Sequence, residues 1–337
     1  MGGKMLPTFM NQKKSKIDSI LANIANLIEN GLYDTALADY RRLYQQAPSF
    51  LEPSEEFSIT KSQATHIHNA ANLARRDLII KTKSICSTKR IEESVSALCG
   101  LSQKAFDKQH QSPSFLFVPQ LPSSPFPSID SVENLRDFIQ QLSYHKGYFL
   151  SCVSKVNEKY IHDIDEVPDT QEWRNLTKCW NSLHLMKGGK LTPVGETLPD
   201  EIKTIIRSPL LADCPEHAPE IVISVLDAKT KIPPHFGISN IKWTLHIPLL
   251  VNELSYIEAA GERQYWTQDK EALLFDDSYK HSAENGADEK RAVLILDIWN
   301  PHLSIEERSD IKALMELYSK WSSDYGSLAS LDRRLYK

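Results

Sequence analysis

The sequence predicts an α+β protein in which a helical N-terminal domain precedes a domain built as an all-β sandwich or barrel. Three patterns carry that expectation. Between Lys16 and Ala47 apolar residues recur three and four apart, the spacing of one helix face. Between Ile221 and Pro301 four short, β-rich apolar runs are bounded by Pro, Gly, Asn and Asp. Proline and serine crowd the stretch from Gln111 to Asp130, where no helix can be sustained.

Residues 1–14 read as a short disordered tail. They hold no apolar run long enough for a signal peptide or a membrane span, and Leu6 stands where a myristoylation signal needs Ser or Thr. Residues 15–110 form the expected helical domain. Ile17, Ile20, Leu21, Ile24, Leu27 and Ile28 make one stripe, and after Gly31 a second follows in Leu32, Tyr33, Ala36, Leu37, Tyr40, Leu43 and Tyr44. The pair reads as a helical hairpin. Gly31-Leu32-Tyr33, Ala36, Tyr40 and the closing Pro48 resemble a single tetratricopeptide repeat. Further helices are expected over Asn69–Lys83 and Ile91–Leu101.

The second domain is set at residues 111–337. Val132 to Val156 is expected to be a helix with Leu135, Phe138, Ile139 and Leu142 on one face. Glu172 to Leu185 reads as a strand and Leu198 to Arg207 as a short helix. After Pro301, Ser304-x-x-Glu307 is a capping box that opens a helix running through Tyr318.

A hydrophobic content of 41% with 25% charged residues is that of an ordinary soluble globular chain. The net charge of −5 gives no electrostatic case for nucleic acid or an anionic membrane. The five cysteines, Cys86, Cys99, Cys152, Cys179 and Cys214, lack metal-type pairing and suit a reducing, cytoplasmic compartment.

The β-rich stretch carries the chemistry. If Ile241–Ile247 is a strand, Lys242, Thr244 and His246 share one face and Ile241, Trp243, Leu245 and Ile247 the other. A polar inward face in a small barrel implies a ligand-filled interior, because unpartnered buried polar groups are costly. His235 follows Pro233-Pro234, and His281 lies between the turn formers Asp276-Asp277-Ser278 and Asn285-Gly286, so both fall at strand mouths that a metal can reach. Arg291 opens an apolar strand, where a cationic end points into the mouth.

The set Pro234-His235-x-Gly237, His246 on the next strand, Phe275-Asp276-Asp277-Ser278-x-x-His281, and Arg291 leading to Asp297-x-Trp299-x-Pro301 resembles the aspartyl/asparaginyl β-hydroxylases. These are iron and 2-oxoglutarate dioxygenases on a double-stranded β-helix of the jelly-roll, cupin-like kind. Phe117 to Pro125, Glu172-Trp173 and Cys214-Pro215 extend the resemblance upstream. It implies that His235 and His281 bind Fe(II). Gly237 stands where other non-haem iron oxygenases place a carboxylate, and water then takes the third position. His246 and Arg291 match 2-oxoglutarate binders, and Ser224 a hydroxyl contact to it. Lys242 and Thr244 stand where the family places arginines, Thr244 on the cosubstrate side and Lys242, with Asp277, on the substrate side. The implied activity uses O₂ to hydroxylate an amino-acid, peptide or protein side chain while 2-oxoglutarate becomes succinate. Two alternatives stay open. One is halogenation through an anion at the third iron position, and the other is a non-catalytic helical-repeat binding protein. A protein partner would dock through the helical domain.

Overall fold

The computed structural model describes residues 8–51, 60–102, 109–156, 158–159, 170–176, 178–267 and 270–336. The chain divides into two compact units, residues 1–85 with 317–337, and residues 86–316. These limits differ from the sequence boundaries at both ends: residues 86–110 join the β-rich unit, and the C-terminal segment joins the helical one. The helix Ile305–Trp321 carries the chain from one unit into the other.

In the helical unit, residues 8–14, read as tail from the sequence, are instead the first turns of a helix over Thr8–Glu29. Residues 1–7 lie outside the described residues. Gly31, at φ +72°, ends that helix: its N–H reaches Ile28 O at 3.0 Å, and Leu32 N–H reaches Leu27 O at 2.8 Å. Two such bonds around a left-handed glycine satisfy carbonyls that the helix end would leave open. The chain turns into the helix Tyr33–Gln46, which buries Ala36, Leu37, Tyr40 and Leu43. A longer helix, Lys61–Ile85, adds Ile67, Ala70, Ala71, Leu73, Ala74 and Leu78 to the core. Tyr40 Oη and His66 Nδ1 are hydrogen-bonded at 2.8 Å. Arg75 binds the Asp332 carboxylate and Ala329 O, which pins the returning C-terminal segment. Among the described residues no helix is long and apolar enough to cross a membrane.

The β-rich unit is a mixture of helices and two antiparallel sheets. Its strands are β1 Glu158–Lys159, β2 Trp180–Lys187, β3 Lys190–Leu191, β4 Ile221–Leu226, β5 Thr230–His235, β6 Lys242–Leu250, β7 Ser255–Ala259, β8 Glu262–Tyr265, β9 Leu273–Phe275, β10 His281–Asn285 and β11 Arg291–Trp299. The larger sheet has the order β1-β2-β4-β11-β6-β9 with β3 beside β2, and the smaller has the order β5-β10-β7-β8.

Alternation of side chains sorts the long strands into two cores. Ile221, Ile223, Val225, Trp243, Leu245, Ile247, Leu294 and Leu296 pack on one side with helix residues Phe138, Ile139, Leu142, Phe149 and Ile202. Val222, Leu226, Val293 and Ile295 face the other way, toward Ile232, Ile257 and Ala283 of the smaller sheet. Both faces of β4 and β11 are therefore buried, which is why these strands read as nearly unbroken apolar runs.

Two expected elements differ. Val132–Val156 is two helices, Leu135–Tyr144 and Lys146–Val153, because the chain leaves helical geometry at His145. Glu172–Leu185 begins as the helix Gln171–Leu176, and the strand starts only at Trp180. The proline-rich segment is tied to the sheet: Asn240 pairs through its amide with both backbone groups of Val118, each at 2.8 Å. The Ser304 capping box forms as read, with Glu307 N–H on Ser304 Oγ at 3.1 Å and Ser304 N–H on Glu307 Oε2 at 2.9 Å.

Asn285 joins the two sheets. Its fully buried side chain donates to the carbonyls of Leu226, Asp227 and Glu289 at 3.2, 3.0 and 2.7 Å, and accepts from Ser255 Oγ at 3.0 Å. Asn285→Ala leaves several of these buried groups unpaired and should cost about 2–4 kcal/mol, to be measured by urea unfolding.

Candidate functional site

The inner face of the larger sheet carries a row of polar residues. β6 contributes Lys242, Thr244 and His246, β4 contributes Ser224, and β11 contributes Arg291 and Asp297, all buried. Against them, the smaller sheet brings His235 at the end of β5 beside His281 at the start of β10, an antiparallel register pair. Their ring centroids are 4.1 Å apart. The sequence separates these two histidines by more than forty positions, and strand pairing makes them neighbours.

Each ring is oriented the same way. His235 Nδ1 lies 2.9 Å from Pro233 O, and His281 Nδ1 lies 2.8 Å from Tyr279 O. A carbonyl only accepts, so both Nδ1 atoms carry the proton and both Nε2 atoms present lone pairs. Trp173 meets His235 edge-on at 5.7 Å, and Phe275 meets His281 at 5.3 Å. Burial lowers His235 to about 3, with His281 adding to the effect, and burial lowers His281 to about 4. Two neutral, parallel-wired imidazoles are what a divalent transition metal needs. Among the described residues no cluster of three or more His, Cys, Asp or Glu is arranged to hold a metal ion.

Gly237 explains the missing third donor. A Cβ there would lie 2.5 Å from Asp277 Cγ, so the Asp277 carboxylate takes the space that a side chain at 237 would fill. Asp277 is held by Gly237 N–H on its backbone oxygen at 2.7 Å, and its Oδ2 lies 3.3 Å from Lys242 Nζ. Its neighbour Asp276 forms the turn, accepting the Ser278 N–H at 3.0 Å.

Lys242 and Thr244 differ in how they are partnered. Lys242 Nζ is 2.6 Å from Asp297 Oδ1 in addition to its contact with Asp277. Burial opposes its charge, but the two carboxylates outweigh it and raise the ammonium above its usual range. Its charge is thus answered inside the protein by Asp277 and Asp297. Thr244 Oγ1 is buried with no partner among the described residues.

His246 and Arg291 share a platform that the sequence did not reveal. The His246 ring is stacked on Trp266 at 5.8 Å and 13°, and the Arg291 guanidinium lies over the same indole, 4.5 Å from its centroid. Burial holds His246 well below the usual imidazole range, with Arg291 adding to the effect, and its Nδ1 has no partner among the described residues. Ser224 Oγ accepts from Trp180 Nε1 at 3.0 Å, which leaves the hydroxyl proton to be donated. Trp266 follows the polar hairpin of β7 and β8, so no periodic pattern marked it. A neutral imidazole, a hydroxyl and a guanidinium on one wall have the chemistry to bind a carboxylate.

The lowered His281 value sets a pH dependence. Because the folded ring titrates at about 4 and an unfolded one near 6.5, its neutral form contributes stability that is complete above about pH 6.5 and lost as pH falls toward 4. Between pH 7 and pH 5 the metal-free protein should lose on the order of 1 kcal/mol through this group. His281→Gln should remove that part of the decline in urea unfolding.

Residues 153–301 match the family described as aspartyl/asparaginyl beta-hydroxylase. Aspartate beta-hydroxylase domain-containing protein 2 of Mus musculus is 26% identical over 205 residues, which is 59% of this chain and 57% of that protein. Aspartyl/asparaginyl beta-hydroxylase of Homo sapiens is 31% identical over 166 residues, 49% of this chain and 21% of that protein. The chain thus spans little more than half the length of the first of these relatives and about a fifth of the second. Among solved structures, a prolyl-4-hydroxylase from Pseudomonas putida aligns at 11% identity and a TM-score of 0.26, over 52% of this chain and 90% of that one, a likeness too distant to bear on function. By sequence, residues 153–301 of this chain are similar to the aspartyl/asparaginyl β-hydroxylase family.

Proposed function

We propose that the protein is an Fe(II)- and 2-oxoglutarate-dependent hydroxylase acting on an amino-acid, peptide or protein side chain. The observation that carries this reading is the His235–His281 pair, with both Nδ1 protons committed to backbone carbonyls and both Nε2 atoms free of protons. The strand order also fits: β4, β11, β6 and β9 facing β5, β10, β7 and β8 make eight strands in the double-sheet arrangement of a double-stranded β-helix.

Bound at the histidine pair, iron with 2-oxoglutarate and O₂ supplies the oxidising chemistry, with succinate as the cosubstrate product. The chain's own residues bind and orient. His235 and His281 would hold the metal. Arg291 and Ser224 would bind a carboxylate of 2-oxoglutarate, with Trp266 keeping Arg291 and His246 in place. Asp277 would place a carboxylate beside the metal without serving as a ligand, and its negative charge would disfavour a bound halide and hence halogenation.

Removal of either His235 or His281 as alanine should abolish metal-dependent turnover and weaken metal binding at least a hundredfold, because one imidazole remains. Zinc titration with a colorimetric competitor checks this, and undiminished affinity in both variants would remove the assignment. His246→Ala should keep the metal and raise the 2-oxoglutarate requirement. Arg291→Ala removes a charge-assisted bond of about 1.5–3 kcal/mol, so cosubstrate affinity in calorimetry should fall roughly ten- to a hundredfold. Iron content together with succinate formation separates this reading from a non-catalytic binding protein.

A further inference from the structure

The wall beside the metal pair is unusual in how its charges close on one another. Lys242, the sole ammonium on the inner face of β6, contacts Asp297 at 2.6 Å and Asp277 at 3.3 Å, and all three side chains are largely shielded from water. Asp297 is fixed in turn by Glu220 N–H on its Oδ2 at 3.0 Å. Two residues along β6, Thr244 offers a buried hydroxyl with no partner among the described residues. We propose that Lys242 is an internal ion lock and that the wall formed by Lys242 and Thr244 selects an uncharged, hydrogen-bonding group of the substrate while rejecting a carboxylate. This substrate class rests on the hydroxylase reading above.

The argument is one of charge in a desolvated space. Lys242 carries one positive charge against the two carboxylates of Asp277 and Asp297. A doubly charged metal and a doubly charged cosubstrate would cancel each other. A substrate carboxylate would then enter as an uncompensated negative charge beside two existing carboxylates, the arrangement that burial penalises most. Asp276, the next acid along, is bound by Ser278 and brings no positive charge. An amide, hydroxyl or other neutral polar group enters without that penalty and can engage Thr244 Oγ1, which serves as donor or acceptor. Lysine also lacks the planar fork with which arginine can grip an internal and an external carboxylate together.

The test uses the full chain loaded with zinc and saturated with 2-oxoglutarate, titrated with acetate and with acetamide and followed by ligand-observed NMR. Acetate should bind wild type no more tightly than acetamide. Asp297→Asn keeps an acceptor for Glu220 N–H and takes one carboxylate from Lys242; it should raise acetate affinity at least tenfold and move acetamide less than threefold. Asp277→Asn, releasing the other partner, should act in the same direction and serves if the first variant fails to fold. Acetate binding more tightly than acetamide in wild type, or no gain for acetate in either folded variant, would overturn the proposal. A calorimetric titration of 2-oxoglutarate made before acetate is added tests the hydroxylase reading separately: loss of that signal in wild type defeats the reading, whereas a normal signal with acetate preferred defeats only the lock.

Discussion

Burial on both faces of β4, β6 and β11 is the constraint on which the site depends. One face is consumed by apolar packing against helices, and the other looks into a space closed by a second apolar cluster. Any polar group on that inner face must find its partner inside the protein or in a bound ligand, because water cannot serve it freely. The distribution of partners therefore separates structure from function. Lys242 and Asp297 satisfy each other, and Asn285 satisfies four backbone and side-chain groups at the sheet edge. Among the described residues His246 Nδ1 and Thr244 Oγ1 have no such partner.

The histidine pair shows how backbone pairing prepares side-chain chemistry. Both residues accept the same constraint, an Nδ1 proton held by the carbonyl two positions earlier, so the tautomer is set locally and the meeting of the rings is set by strand register. Burial then keeps both rings neutral across ordinary pH. Orientation and protonation are settled before any ligand arrives, and this reduces what binding must later reorganise.

Trp266 has a comparable role on the other side of the space. Its indole is fully buried and carries a guanidinium on its face and an imidazole stacked alongside. A cation over an aromatic face is favoured without neutralising its charge, so Arg291 stays positive and directed.

Much of this was legible in the sequence because it is local. Helical stripes around Gly31, the capping box at Ser304 and the turn at Asp276 to Ser278 all express preferences of a few neighbouring residues. The missed helix break at His145 and the helix before Trp180 are boundary errors of the same local kind. Other features needed the tertiary structure. Lys242 meets partners 35 and 55 positions away, Trp266 comes from a separate hairpin to lie under β6 and β11, and the C-terminal segment returns to helices formed at the start of the chain. Residue type and spacing therefore determined which groups could do chemistry, whereas sheet order and register decided which of those groups are already paired. The reason is physical: a charge seen in sequence has no partner until the fold brings a distant one within a few ångströms and removes the water between them.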